Sequence, residues 1–221
     1  MNISKAVEEL ISQSPYLEEA LTDDLINISS LARRFKPKVE ALVKSPVQEG
    51  AIMMAIKRRK PLNSVKLTRG LKKIMNEMGD VIVRSNLCEF TFANSTSLTI
   101  AHLELMKEIA NQKDMFCTLC QGVFESTLIV SLVLKDMVEQ IFRGEKLLNK
   151  KLNLSSITIR LPERNTQVAG VYYYILKKLA WAGISIHEVI STTNEFSLVV
   201  SEEVAIEAFP KIMNLKKSDW D

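Results

Sequence analysis

Glycine is scarce in this sequence, with seven residues among 221. Enzymes of phosphoryl transfer use glycine-rich loops whose backbone amides cradle phosphates. The seven glycines never form G-x-G-x-x-G or G-x-x-x-x-G-K. The motifs G-x-S-x-G and H-E-x-x-H, which mark hydrolases and metalloproteases, are missing too. We therefore expect no catalytic residues and a protein that is not an enzyme.

Cysteine and histidine are also few, with three and two residues. An odd number of cysteines gives no disulfide framework and fits a reducing compartment. Cys117 and Cys120 form a C-x-x-C pair, but zinc sites need a second pair, and His102 and His187 lack metal-ligand spacing. In a strand, residues three apart face opposite sides, so these two thiols would not meet. We expect no metal and no cofactor.

Long apolar runs are missing as well. No window approaches the roughly 18 consecutive apolar residues that a membrane helix needs. The first residues, MNISKAVEELISQ, lack the basic stretch and apolar run of a secretory signal. We expect a cytoplasmic protein with no membrane partner.

Charge is distributed unevenly. Residues 1–32 contain one lysine and six acidic residues, whereas residues 33–73 contain thirteen Lys and Arg and only two Glu. A basic block of this strength indicates an anionic partner, with nucleic acid as the first candidate. The alternative is a solvated helical surface, since Lys and Arg are common on exposed helices.

The first third of the chain predicts a helical domain over residues 1–78. Helices are expected from Ser4 to Pro15, from Asn27 or Ser29 in a segment that Pro46 ends, from Pro46 to Lys60, and from Leu67 to Gly79. Pro37 is expected to kink or restart the second of these.

Two of these helices resemble a helix-turn-helix, with residues 48–60 as the recognition helix. The intervening residues 36–46 are too many for the usual short turn, so a helical protein-docking domain is an equal alternative. The candidate nucleic-acid contacts are the basic residues of this pattern: Arg33, Arg34, Lys57, Arg58, Arg59 and Lys60.

After Gly79 the pattern becomes strand, helix, strand, strand, helix, and it occurs twice. The first copy spans residues 79–145 and the second spans 153–216, with a polar connection over residues 143–152. In the second copy, alternation predicts strands at 156–161, from Ile184, and at 195–200, with a helical stripe on Val171, Ile175 and Leu179. The predicted fold class is α+β, with two ferredoxin-like βαββα units after the helical domain. Each unit should have both helices on one face of its sheet, which leaves the other face open.

The second copy resembles the ACT domains at the C-terminus of aspartokinases. The resemblance lies in residues 167–171 (QVAGV), 179–186 (LAWAGISI) and 196–200 (FSLVV). In that family a V-P-G-V-like turn begins the first helix, and effectors bind at this loop and against the second strand, often across a domain interface. Ala169 takes the place of the family's proline. Carried onto this chain, the resemblance gives as candidate ligand contacts Asn165, Thr166, Gln167, Ala169, Gly170 and Ser185.

Together these patterns predict a non-catalytic regulatory protein that senses an amino acid or a similar small metabolite and forms a homodimer. One alternative is a DNA-binding transcriptional regulator in which degenerate ACT units serve for dimerisation. Another is a regulatory subunit that docks on a separate metabolic enzyme.

Overall fold

A computed structural model describes residues 1–59, 64–112 and 114–217. The chain divides into two compact bodies, Met1–Gly70 and Leu71–Asp221. They are called the N-terminal and the C-terminal body below.

The N-terminal body is helical. Its helices are α1 (Ile3–Ser12), α2 (Pro15–Thr22), α3 (Ile28–Val43) and α4 (Glu49–Arg58), and α5 (Ser64–Asn76) continues into the C-terminal body. Asparagine side chains accept backbone N–H groups at two helix starts, as N-caps do: Asn2 caps α1 and Asn27 caps α3. The cap of α1 is thus Asn2 and not Ser4, and α2 was not predicted.

Helix α3 was expected to kink or restart at Pro37, within a segment that Pro46 ends. The helix runs through Pro37 to Val43, and Lys44 ends it in a left-handed conformation with φ 58°. An interior proline removes one backbone hydrogen bond, and Pro37 is exposed, so the unpaired carbonyl can be met by water. Only residues 44–48 then separate α3 from α4, and the Val47 N–H donates to Glu40 Oε1 at 3.0 Å within this connection. The spacing is closer to a helix-turn-helix than the sequence indicated.

The C-terminal body contains both predicted βαββα units. The first is β1 (Val81–Ala93), α6 (Leu98–Ile109), β2 (Cys117–Gln121), β3 (Glu125–Ser131) and α7 (Lys135–Ile141). The second is β4 (Leu147–Arg160), α8 (Val171–Trp181), β5 (Glu188–Ser191), β6 (Glu195–Ser201) and α9 (Glu202–Met213). The predicted α+β class is confirmed.

Both units belong to one six-stranded antiparallel sheet with the order β2-β3-β1-β4-β6-β5. Its centre is the pair of long strands β1 and β4, which run from Val81 opposite Ile159 to Phe92 opposite Leu147. Each long strand therefore completes the sheet of both units. The expected polar connection over residues 143–152 is wrong, because β4 begins at Leu147. The expected strand at Ile184 is also displaced, since β5 begins at Glu188.

The helices cover one face of this sheet. Alternate residues of β1 and β3, such as Phe90 and Val130, pack with α6 and α7. Ile157 of β4 and Leu198 of β6 pack with α8 and α9. On the opposite face a smaller cluster is buried, formed by Leu87, Ile129, Leu154 and Val199.

This opposite-face cluster extends toward both edges of the sheet. Phe116, beside edge strand β2, and Ile190, on edge strand β5, both pack against it although these strands lie at opposite ends of the strand order. The face expected to be open is thus buried at its centre by the chain itself.

Candidate functional site

The loop between β4 and α8 carries most of the predicted ligand contacts. After Arg160 the chain makes a 3₁₀ turn at Glu163–Gln167 and then enters α8 through Gly170, which has φ 85°. Left-handed backbone of this kind strongly favours glycine. Gly170 therefore fixes the direction in which the first amides of α8 point.

Asn165 holds this loop in place. Its side chain is buried, with 4% exposure, and its Nδ2 donates to the carbonyls of Pro162 (2.9 Å) and Thr193 (2.7 Å). The second bond ties the loop to the turn between β5 and β6. The first unit repeats the device, because Asn94 Nδ2 donates to the Gly122 carbonyl, at the turn between β2 and β3, at 2.7 Å.

A cleft of about 340 Å³ opens at the start of α8. Volumes of this size hold small molecules. The Tyr174 N–H donates to the Gly170 carbonyl at 2.8 Å, and Gly170, the N-cap residue, has no side chain that could cap the helix. The N–H groups of the first turn carry partial positive charge, so a carboxylate fits there. The lining residues are Asn165, Thr166, Val168, Gly170, Val171, Tyr172 and Tyr173.

One wall of the cleft is aromatic and well braced. The Tyr172 ring stacks on Phe196 of β6 with centroids 4.5 Å apart, and its hydroxyl lies 2.6 Å from Ser191 Oγ. Lys177 Nζ lies 5.7 Å from the centre of the Tyr173 ring, on the same helix. The cleft is therefore bounded by apolar and aromatic surface beside a polar helix end.

The structure brings some of the predicted contacts together and leaves others apart. Asn165, Thr166 and Gly170 line the cleft, whereas Gln167 and Ala169 are exposed in the same loop outside it. Ser185 is exposed beyond the far end of α8, an 11-residue helix that is about 16 Å long. Sequence reasoning missed Val168, Tyr172 and Tyr173, although their position on either side of Gly170 was a usable signal.

The matching helix start in the first unit is already filled. Ser95 Oγ accepts the Leu98 N–H at 3.0 Å, which caps α6, and the same hydroxyl donates to a carboxylate oxygen of Glu145. A side-chain hydroxyl and carboxylate of the protein thus occupy the region that corresponds to the cleft at the start of α8.

The basic residues predicted as nucleic-acid contacts in the N-terminal body differ in exposure. Arg33 and Arg34 are exposed on α3, and Lys57 and Arg58 are exposed in the last turn of α4. Arg59 instead pairs with Glu18, and its side chain is only 8% exposed. Lys60 lies outside the described residues.

A polar cluster that the sequence did not indicate lies beside the opposite-face cluster. The Glu89 side chain is 3% exposed, and Lys151 Nζ lies 3.7 Å from its Oε1. Lys151 Nζ also lies 3.2 Å from His187 Nδ1, which must accept because an ammonium group has only donors. Burial, and then the Lys151 charge, lowers the pKa of His187. Burial, and then Glu89, raises the pKa of Glu188.

The cysteines form no joint site. Cys117 packs on the helix side of the sheet, with Sγ 4.0 Å from Met106 Sδ, while Cys120 lies three residues along the same strand. Burial raises the pKa of both thiols. Among the described residues no group of three or more His, Cys, Asp or Glu is placed to hold a metal ion. No helix in the described ranges is long and apolar enough to cross a membrane.

Several solved structures have a similar fold. The ligand-free regulatory subunit of aspartate kinase from Thermus thermophilus has a TM-score of 0.52 and 10% identity, over 62% of this chain and 97% of that chain. The regulatory subunit from Thermus flavus has a TM-score of 0.50 and 9% identity, over 62% and 97%. The aspartate kinase of Clostridium acetobutylicum has a TM-score of 0.50 and 12% identity, over 61% of this chain but 34% of that one. The sequence itself matches no known protein family and no curated protein.

The two βαββα units and this likeness define a tandem ACT fold, of the kind that forms the regulatory subunits of aspartate kinases. The resemblance found in the sequence is confirmed at the level of the fold.

Proposed function

We propose that this chain is a non-catalytic regulatory protein whose second ACT unit binds an amino acid at the start of α8. The observation that carries the proposal is the contrast between the two units. The start of α6 is capped by Ser95, whereas the start of α8 follows Gly170, which has no side chain, and faces a cleft. The first unit therefore serves as scaffold and the second as sensor.

The lining also limits the ligand. Among the described lining residues none is charged, and Val168, Tyr172 and Tyr173 offer apolar and aromatic surface. A charged ligand side chain would lose hydration there without a partner, which is costly. The amino acid we propose carries its carboxylate at the amides of the first turn of α8 and an aliphatic or aromatic side chain against this wall.

Binding would be transmitted through Asn165. Its two hydrogen bonds join the ligand loop to the turn between β5 and β6. A ligand that orders the loop therefore also stabilises this edge of the sheet, and any partner that senses the edge is coupled to the ligand.

A thermal-shift screen of the common amino acids, followed by calorimetry, tests the proposal. We expect stabilisation by apolar or aromatic amino acids and none by lysine or aspartate. Val168→Glu should abolish the shift because it adds a carboxylate to the cleft, while Lys178→Glu, an exposed change on α8 outside the lining, should keep it. A null result across the whole panel would sink the sensor.

The predicted homodimer rests on the resemblance, which gives Ser185 as a ligand contact. Ser185 lies beyond the far end of α8 from the cleft, so a ligand that contacts both would lie between two copies. We propose a dimer that assembles through the second ACT units. Light scattering should give twice the mass of one chain in the presence of the amino acid, and a monomer under those conditions contradicts it.

DNA binding is a second candidate, favoured by the exposed cations on α3 and α4. None of the ion pairs among described residues uses Arg33, Arg34, Lys57 or Arg58. Phosphate contacts release counterions, so DNA affinity should fall steeply with added salt. Changing Lys57 and Arg58 to Ala should weaken binding, and Lys5→Ala, a cation on α1, serves as the control. Unchanged DNA affinity in the double variant would show that Lys57 and Arg58 of α4 do not contribute to DNA binding.

A further inference from the structure

The N-terminal body contains a second cleft, of about 360 Å³, between α1, α2 and α3. It lies wholly within one body. Its lining combines apolar with polar and charged side chains: Leu10, Leu17, Leu31 and Phe35 with Gln13, Ser14, Arg34 and Lys38.

The floor of this cleft is apolar. Leu31 and Phe35 belong to the core of the N-terminal body and keep 8% and 7% exposure. Leu10 and Leu17 pack against that core from α1 and α2. Hydrocarbon placed here would be removed from water at about 25 cal/mol per Å² of apolar surface.

The rim is cationic. Arg34 and Lys38 are four residues apart on α3, a spacing that puts their side chains on the same helix face. Both are exposed, and neither takes part in an ion pair of the described residues. Among the described residues that line the cleft none is acidic. The mouth of the cleft is therefore positively charged, and none of the described lining residues neutralises this charge.

We propose that this cleft binds a small hydrophobic carboxylate, such as a medium-chain fatty acid. The carboxylate lies at Arg34 and Lys38, where charge-assisted hydrogen bonds form, and the hydrocarbon lies on Leu10, Leu17, Leu31 and Phe35. Both halves of the ligand follow from charge complementarity and from the apolar floor. A bare anion would leave the floor unused, and a neutral hydrocarbon would leave the two cations unused.

Calorimetry of the full chain with hexanoate, octanoate and decanoate, below their micelle concentrations, tests the apolar half. We expect affinity to rise about fourfold with each methylene, which corresponds to ~0.8 kcal/mol. 1-Octanol, which has the same chain length without the charge, should bind at least about tenfold more weakly than octanoate. Affinity that does not depend on chain length overturns the proposal.

Three variants test the cationic half. Arg34→Gln and Lys38→Gln should each weaken octanoate several-fold, and together about tenfold or more. Arg33→Gln is the matched control, because Arg33 is the exposed neighbour on α3 and does not line the cleft. An equal loss of octanoate affinity in Arg33→Gln would mean that the general positive charge of α3 attracts the ligand, and it would overturn the proposed site.

Leu17→Glu is a second route, since it places a negative charge at the apolar floor and should abolish octanoate binding. Stabilisation by apolar amino acids at α8 should be unchanged in all of these variants. Failure of octanoate to bind, or binding of an acidic amphipathic peptide alone, overturns the proposal and leaves the amino-acid sensor untouched.

Discussion

At the scale of single residues, Gly170 decides whether α8 can present its amides. Its φ of 85° turns the chain from the ligand loop into the helix, and a side chain in this conformation costs about 1–2 kcal/mol. Gly144 is a suitable comparison, because a Cβ built there meets nothing within 4 Å and its φ is not left-handed.

Gly170→Ala should lower the free energy of unfolding by about 1–2 kcal/mol, because the left-handed turn is strained by a Cβ. The substitution should also weaken binding of the proposed amino acid at α8, because relief of that strain moves the N–H groups of the first turn. Urea unfolding measures the first effect and calorimetry the second. Gly144→Ala should stay within about 0.5 kcal/mol, and an equal loss there would refute the backbone explanation.

His187 is a residue whose pKa is shifted by its neighbours in the fold. Lys151 and Glu188 face it, and Glu89 lies beyond Lys151. Its pKa is lowered in the folded state from 6.5, by burial first and Lys151 second. As pH falls through 6.5, the unfolded chain binds a proton that the folded chain resists, so stability decreases.

The loss of stability between pH 7.5 and 5.5 should therefore be smaller in His187→Gln than in the unchanged protein. Glutamine can still accept from Lys151 but does not titrate. Urea midpoints at the two pH values measure the difference. The raised pKa of Glu188 has the opposite effect, because it lowers stability as pH rises above 4.5. Glu188 is present in both proteins. Parallel pH slopes would rule His187 out.

At the scale of elements, two asparagines bend the central strands. Asn86 in β1 and Asn153 in β4 both have φ 55°, near the shift of register between Arg84 and Leu87. Asparagine tolerates left-handed backbone better than other residues with a Cβ. Both are exposed, so their contribution is conformational and does not come from burial.

Asn86→Ala and Asn153→Ala should each destabilise the protein by about 1 kcal/mol, since alanine resists the left-handed region. Asn86→Gly should be neutral or slightly stabilising for the same reason. Ser85→Ala, an exposed neighbour with ordinary φ, is the control. Chemical denaturation measures all four, and a destabilised glycine variant would contradict the argument.

Sequence reasoning succeeded where structure is local. The stripe Val171, Ile175 and Leu179 predicts α8 and is buried as expected, because helical periodicity is encoded within one segment. Sequence reasoning failed at the start of β4, because Lys150 and Lys151 made this segment look like a polar loop. The strand depends on pairing with β1, about sixty residues earlier in the chain. The loop between β4 and α8 shows both outcomes. The motif identified Gly170 as a candidate contact, whereas the sequence did not identify Tyr172 and Tyr173 as lining residues of the cleft.

At the scale of the whole molecule, one sheet serves two units. The cluster of Leu87, Ile129, Leu154 and Val199 draws residues from β1, β3, β4 and β6, and all four are at most 1% exposed. A repeat in the sequence is therefore a single cooperative structure in the C-terminal body.

Leu154→Ala should cost about 2–5 kcal/mol, as buried leucines do. Amide hydrogen exchange should show equal losses of protection in β3 of the first unit and β6 of the second, because global unfolding exposes both. Leu148→Ala, on the same strand with 47% exposure, should cost less than about 1 kcal/mol. Protection lost in β6 alone would show that the units unfold separately.

Because β1 and β4 pair with each other, the two ACT units can be moved onto another protein only together. A single ACT repeat cut from this chain would carry one long strand with no partner along half its length, and an unpaired strand edge invites aggregation. The smallest part of the ACT fold that could be moved onto another protein is thus the pair, residues 71–217 with the described sheet intact. By the same reasoning, loss of either copy would leave the long strand of the other copy without its partner.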